Sequence, residues 1–394
     1  MSPTATPRSC DVVIPARNAE PYLAAAIASV LAQSLPASRI IIVDDRSIDG
    51  TAAVAAAFGN RIRIVVGEGR TAAAARNLGA RHSSAELLAF ADADDVCHRE
   101  RLMGQVEALL GRPDSTMVFC DAAYTFGSGE PTGAVFGCPD FNGDAFLGQL
   151  FERNRILSTS VAMVRRASFD AVGGFDERLS HAEDYDLWLR LGGSGRIEHL
   201  AEPLVSYRVH AGNLSNDREA LRRCEIEILK KHPIDRIRCA LLDTHGQAAR
   251  ADLELSRVLF RMERFTEGEA LARAVWPDAP DRALHHFTLG NFAIARDDLE
   301  TAAAEHHRCL ACDATFAPSH NNLGVIAATE GQRRAAHEHF GAAVRLRPDY
   351  SDPRHNIDAL QQGRRSGLRY TYAPLRSVLR PSVGIRDGGL GRRA

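Results

Sequence analysis

Three carboxylates fall within four positions at Asp92, Asp94 and Asp95, directly behind the apolar run of residues 87–91. A short apolar run bounded by charge reads as a buried strand. A carboxylate held in a core without a partner is strongly destabilising, so the three acids sit where the strand leaves the core. In an open α/β sheet that is the ligand crevice, at the carboxyl ends of the strands. Clustered acidic oxygens there suit a hard divalent cation, Mn2+ or Mg2+, with positions left for phosphate oxygens. The plain alternative is an N-cap, Asp94 or Asp95 ahead of a helix expected over residues 99–110. A cap needs one acid and three are present, which favours the metal, with capping as a second task.

A further acidic pair, Asp44-Asp45, ends the apolar run 40–43. At a strand's carboxyl end a carboxylate accepts an N–H from a nucleobase or a ribose hydroxyl, as in dinucleotide sites. Arg17 and Arg76 carry the guanidinium suited to diphosphate oxygens. Taken singly, each reads first as a surface ion pair. The chain has neither G-x-G-x-x-G nor a P-loop, so neither Rossmann dinucleotide binding nor P-loop hydrolysis has support.

The elements that must position these groups alternate at short intervals. Strands are expected over 10–15, 39–43, 61–66 and 87–91, with helices from Pro21, over 51–58 and over 72–80. Such alternation implies right-handed βαβ units and a mostly parallel sheet. Beyond Ser115 the pattern gives a strand over 116–121, a Gly- and Pro-rich loop over 127–143 flanking an acceptor, a helix over 144–153 and a strand over 160–165. A third acidic cluster, Glu183, Asp184 and Asp186, opens a helix rich in Leu and Trp. Acids at a helix N-terminus simply complement its dipole on the bland reading.

Four blocks in order resemble the family 2 glycosyltransferases of GT-A fold: residues 12–18, 42–51, 75–80 and 90–95, within a match covering roughly 9–215. The resemblance implies a nucleotide-diphosphate-sugar donor, with UDP-sugars placed first, and an inverting transfer. It implies that Pro15 and Asp45 hold the base with Asp44 beside it, and that Arg76 lies near base and phosphates. Asp92, Ala93 and Asp94 then belong to the donor site with Arg17 and Asn18, and Asp92, Asp94 and Asp95 hold ribose and metal. Asp184, paired with Glu183, is the expected general base, and the helix N-terminus is expected to keep it ionised. Residues 207–215 match a loop that closes over the site in relatives, where His210 is a metal or diphosphate contact weighed evenly against a structural role. Arg46 departs from the family's usual Gly, a position that favours positive φ.

From Arg218 the sequence turns helical. Leu289-Gly290 recurs as Leu323-Gly324, an offset of 323 − 289 = 34 residues, and Ala293, Ala302 and Cys309 map onto Ala327, Ala336 and Ala343. That period and those small residues resemble tetratricopeptide repeats, a peptide- or protein-binding stack, with a degenerate copy over 249–275. The alternatives are a dimer surface, a spacer or a generic Ala-rich bundle. Eight Arg against one Asp in residues 363–394 read as a flexible basic tail, with peripheral contact to an anionic membrane surface as its most ambitious use.

The 394 residues exceed one ordinary core, and the net charge of −2 gives no support to nucleic-acid binding. No apolar run spans a bilayer and residues 1–9 lack a signal core, so a cytoplasmic protein with reduced cysteines is expected. The organisation expected is therefore a tail (1–8), a GT-A domain (9–235), tetratricopeptide-like repeats (245–360) and a basic tail (361–394). The acceptor is left open among saccharide, lipid-linked sugar and protein. The rival function is a scaffold in which a catalytically silent nucleotide fold accompanies the repeats.

Overall fold

Val12, Val13 and Ile14 are wholly buried, as are Ile41, Ile42, Val43 and the run Leu87–Phe90. Strands covered on both faces read as unbroken apolar runs, and these three lie side by side in a parallel core. The computed structural model describes residues 9–276, 278–364 and 366–375. The expected tail 1–8, Arg365 and the basic residues from 376 on lie outside the described residues.

The first unit, up to Ile228, is built on nine strands. They are β1 (Cys10–Ala16), β2 (Arg39–Asp44), β3 (Arg63–Val66), β4 (Leu87–Phe90), β5 (Val96–Cys97), β6 (Ser115–Phe126), β7 (Pro131–Phe136), β8 (Ala162–Arg165) and β9 (Arg196–Val209). Their order is β3-β2-β1-β4-β8-β6-β9-β5, with β7 paired to β6. The helices are α1 (Leu23–Leu31), α2 (Thr51–Ala56), α3 (Ala72–Arg81), α4 (Arg101–Gly111), α5 (Phe146–Glu152), α6 (Arg166–Ala171), α7 (Glu183–Gly192) and α8 (Arg218–Lys230). Strands β3, β2, β1 and β4 are parallel, as βαβ alternation requires, whereas β8 is antiparallel to both β4 and β6. The sheet is therefore the Rossmann-like mixed sheet that the GT-A resemblance implies, parallel only where the βαβ alternation runs.

Three local expectations change. The span 127–143 is not all loop: β7 returns along β6 as a hairpin, turned at Gly129 with φ +90°. Residues 207–209 belong to β9, which stays in register with β6 to the pair Phe126 and Val209, so only the segment from His210 onward is loop. Neither Asp94 nor Asp95 caps α4, because β5 intervenes and Glu100 stands at the cap without a side-chain bond.

The second unit begins at Leu229, earlier than the boundary expected at 235, and is helical. It comprises α9 (Ile234–His245), α10 (Ala248–Arg261), α11 (Phe265–Val275), α12 (Arg282–Ala295), α13 (Leu299–Cys312), α14 (Ala317–Thr329), α15 (Arg333–Leu346) and α16 (Ser351–Gln361). The 34-residue offset has a direct structural counterpart. A Cβ on Gly290 would lie 2.9 Å from the His306 ring, and one on Gly324 would lie 2.5 Å from the Phe340 ring. Glycine at both positions lets the paired helices α12/α13 and α14/α15 cross closely in the same way. No helix of the described residues is long and apolar enough to cross a membrane.

Candidate active site

Arg76, on α3, is the join. Its Nη1 donates to Glu183 Oε1 at 2.5 Å and its Nη2 to Asp92 Oδ1 at 2.7 Å. The side chain is buried, and its guanidinium carbon lies 5.5 Å from the centre of the Phe175 ring. Burial works against the charge, but the two carboxylates outweigh it and make the guanidinium hold its proton more firmly than usual. The sequence reading weighed a diphosphate contact against a surface ion pair; the pair found is buried and double.

Helix α3 is held where this join requires it. Asn77 Nδ2 donates to the Phe175 carbonyl and its Oδ1 accepts from the Phe175 amide, each at 2.9 Å. The Gly173-Gly174 turn permits that approach: Gly174 has φ +69°, and a Cβ there would sit 2.7 Å from Asn77 Oδ1.

Asp92 ends β4. Its amide donates to Ser160 Oγ at 2.8 Å, and its Oδ1 accepts from Thr159 Oγ1 at 3.0 Å as well as from Arg76. Asp94 is half-buried, with Oδ2 2.9 Å from His210 Nε2 and its carbonyl accepting from Arg208 Nε at 2.9 Å. His210 stacks on Tyr22, and Arg208 lies over the same ring. Asp95 is buried at 1% exposure, and its Oδ1 accepts the Arg208 amide at 3.0 Å. Asp95 Oδ2 lacks a well-formed hydrogen bond, and nearby Ser160 only partly offsets its desolvation. Burial first, then the charges of Asp94 and Asp92, push the Asp95 carboxyl well above the usual range. Of the four candidate metal ligands, Asp94 and His210 face each other at 2.9 Å, while Asp92 Oδ1 is committed to Arg76 and Thr159 and Asp95 Oδ1 to the Arg208 amide, so the four ligand atoms do not converge on one point.

Asp184 follows Glu183 in the first turn of α7. Burial, and then the Glu183 charge, push its carboxyl up to about 7. The helix terminus does not keep it strongly ionised as expected. Such a terminus supplies about 0.3–1 kcal/mol, too little to offset removal from water beside a like charge. Ala182, entering the helix with φ +55°, makes the sharp turn that presents the pair. Asp186 is spent elsewhere, in a buried ion pair with Arg190 at 2.6 Å.

At the neighbouring strand ends, Asp44 Oδ1 accepts from the Ser47 amide at 3.0 Å and Asp45 Oδ1 from the Gly69 amide at 2.7 Å. Both acids are buried. Arg17 Nη1 reaches the Gly69 carbonyl at 3.5 Å, so 17 and 67–69 meet over the end of β1, which contains Pro15. Asn18, with φ +51°, accepts the Ile48 amide at 3.0 Å. Arg46 takes φ +58°, so the loop keeps a left-handed residue where glycine would be cheaper.

Residues 11–173 match the family model for glycosyl transferase family 2. Over those residues the N-terminal unit is similar to glycosyl transferase family 2. An uncharacterized glycosyltransferase RP339 of Rickettsia prowazekii (strain Madrid E) is 26% identical over 208 residues, covering 52% of this chain and 65% of that protein. The chain thus spans about two thirds of that relative's length. The UDP-Glc:alpha-D-GlcNAc-diphosphoundecaprenol beta-1,3-glucosyltransferase WfgD of Escherichia coli is 24% identical over 213 residues, 52% of this chain and 79% of that one. Among solved structures, S. aureus TarS 1–349 in complex with UDP-GlcNAc aligns over 90% of this chain and 92% of that chain at 16% identity, with a TM-score of 0.49.

Sequence reasoning about the glycosyltransferase unit missed Thr159, Ser160, Arg208 and Tyr22. Arg208 stands two positions before His210 in a quoted motif, but its role is carried by its amide and its reach to Asp94. Thr159 and Ser160 carry no local signal, since only the β4–β8 pairing brings that segment beside Asp92.

Proposed function

We propose that the N-terminal unit transfers a glycosyl group from a nucleoside-diphosphate sugar, UDP-sugars first, to an acceptor hydroxyl, with inversion at the anomeric carbon. The observation that carries this reading is the two hydrogen bonds of Arg76, one to Glu183 and one to Asp92, which bring the Glu183-Asp184 pair beside the acids after β4.

Pro15, Arg17, Asn18, Asp44 and Asp45 form the base end of the donor site, where Asp45 and Asp44 can take a nucleobase N–H and Asp92 and Ala93 border the ribose. Asp184 accepts the proton of the attacking hydroxyl. A base with its affinity near 7 is about half in its basic form at neutral pH and strong enough for the transfer, typically a 10²–10⁴-fold effect. Glu183, ion-paired with Arg76, ties the first turn of α7, and with it Asp184, to α3. A divalent cation, Mn2+ or Mg2+, held by Asp94 and His210, supplies positive charge for the departing diphosphate when bound. WfgD is a glucosyltransferase toward alpha-D-GlcNAc-diphosphoundecaprenol, a lipid-linked saccharide. A saccharide or lipid-linked saccharide is the acceptor class we take over for this chain, with action at the cytoplasmic side of a membrane surface.

Calorimetric titration of UDP and other nucleoside diphosphates, with and without Mn2+, tests the reading on the native chain, Asp94→Ala and Asp184→Asn. Metal-dependent binding that is lost in Asp94→Ala and retained without turnover in Asp184→Asn is expected. Failure of every nucleotide to bind the native chain would favour a silent scaffold.

A further inference from the structure

Two imidazoles of the helical unit face each other with no carboxylate between them. His320 of α14 and His339 of α15 stand with their Nδ1 atoms 3.3 Å apart, ring centres 5.6 Å apart and ring planes tilted by 42°. Both residues are half-buried, and the exposed His307 of α13 holds a third ring 6.1 Å from that of His339. Three successive helices thus each bring one imidazole to the same place. His306, the next residue back on α13, is not part of the group: it is wholly buried, with Nδ1 3.2 Å from Ser319 Oγ.

The preceding repeat shows what these positions hold when they only pair helices. One repeat back, His320 maps onto His286 and His339 onto Glu305, since 320 − 286 = 34 and 339 − 305 = 34. There the imidazole meets a carboxylate at 2.7 Å, donor to acceptor. In α14/α15 a second imidazole replaces the acid, and the complementary charge is gone. The 3.3 Å between the nitrogens also exceeds the roughly 2.7–3.2 Å of a well-formed N–H hydrogen bond. It matches a different standard. Two nitrogens about 2.0–2.1 Å from a tetrahedral ion lie about 3.3–3.4 Å apart, whereas right-angled coordination would draw them to about 2.9 Å. The nitrogens meet nearly head-on, so each ring must tilt by about 35° to aim its lone pair at such an ion. The terminal torsion of histidine is broad and permits that tilt. Arg345 beside His320 and Glu338 beside His339 offset each other's charge at the site.

We propose that His307, His320 and His339 bind one divalent ion of the kind that prefers imidazole, Zn2+ first, with water in the fourth position. The ion staples the α12/α13 hairpin to the α14/α15 hairpin, because its ligands come from both. Mn2+ and Mg2+, which prefer oxygen ligands, are poor occupants, so this site is chemically distinct from the acidic end of β4. At a free Zn2+ concentration 100 times its Kd, the folding equilibrium of the helical unit gains about 100-fold.

The test uses the full-length chain carrying Asp94→Ala, which removes the other cation candidate. Zn2+ is titrated into it at neutral pH in competition with a chromophoric chelator. One equivalent is expected to bind without competition from Mg2+, and His307→Gln, His320→Gln and His339→Gln should each weaken it at least tenfold. Glutamine keeps a hydrogen-bond donor and acceptor but no imidazole, so the variants should melt like the parent when Zn2+ is chelated. Added Zn2+ should raise the melting temperature of the parent and leave that of the variants unmoved. Equal Zn2+ affinity in the parent and any one variant overturns the proposal, as does binding that leaves the parent's melting temperature unchanged. X-ray absorption at the zinc edge of the parent needs no variant: fewer than three imidazole nitrogens at about 2.0–2.1 Å overturns the site. Light scattering that shows a Zn2+-dependent dimer also overturns it, in favour of ligands shared between two copies.

Discussion

Arg76 Nη1 and Glu183 Oε1, 107 residues apart in sequence, stand 2.5 Å apart, and the same guanidinium reaches Asp92. One buried cation thus fixes the first turn of α7 to the end of β4.

Removing that cation leaves two carboxylates facing each other with little water. Arg76→Met should therefore cost about 3–5 kcal/mol of stability, the usual penalty for breaking a buried pair from one side. Denaturant unfolding followed by circular dichroism measures it. A loss below about 1 kcal/mol would mean that the site is far wetter than its geometry implies.

The acid limb of turnover follows Asp184. Burial and Glu183 disfavour its charged form, so it is protonated below about 7 and cannot accept the acceptor's proton there. The rate should rise with pH to a midpoint near 7, falling about tenfold per pH unit well below it. Glu183→Gln removes the repelling charge and frees Arg76 to favour the Asp184 carboxylate. Its midpoint should move to lower pH, and a midpoint that stays or rises would separate Asp184 from the profile.

The raised Asp184 also affects folding. A carboxyl whose affinity is higher folded than unfolded favours the folded state less as pH climbs from about 4 to about 7. Asp184→Asn should flatten that part of the stability curve and leave the chain more stable at pH 8. Thermal melts across the range test the sign.

Asp94→Ala and His210→Ala should each weaken Mn2+ binding, the first more strongly, because a carboxylate brings charge as well as a donor atom. Electron paramagnetic titration of free Mn2+ measures this without turnover. Equal binding in both variants and the native chain would move the cation elsewhere.

In the helical unit, Gly324→Ala places a methyl 2.5 Å from the Phe340 ring. Overpacking of this kind costs about 1–3 kcal/mol. Gly111→Ala in α4, with nothing near its added carbon, is the control and should be neutral or slightly stabilising.

The sequence by itself determined the parallel core of β1, β2 and β4, the acids at their ends and the repeat of α12 to α15. Each is local: an apolar run ends in charge, or a glycine recurs at a fixed offset where a helix must come close. Tertiary structure decided what joins these parts. The antiparallel entry of β8 brings Thr159 and Ser160 to Asp92, and the pairing of β9 with β6 carries Arg208 and His210 to Asp95 and Asp94. Whether Asp184 holds its proton depended on burial and on Glu183, a balance no spacing encodes. The asparagines of α14 and α16 were visible as letters, but Arg369 and Thr371, which they bond in the tail expected to be flexible, lie 13 to 50 residues away along the chain. Long-range contacts of this kind carry no periodic signal, because they are set by how whole elements stack rather than by neighbours in sequence.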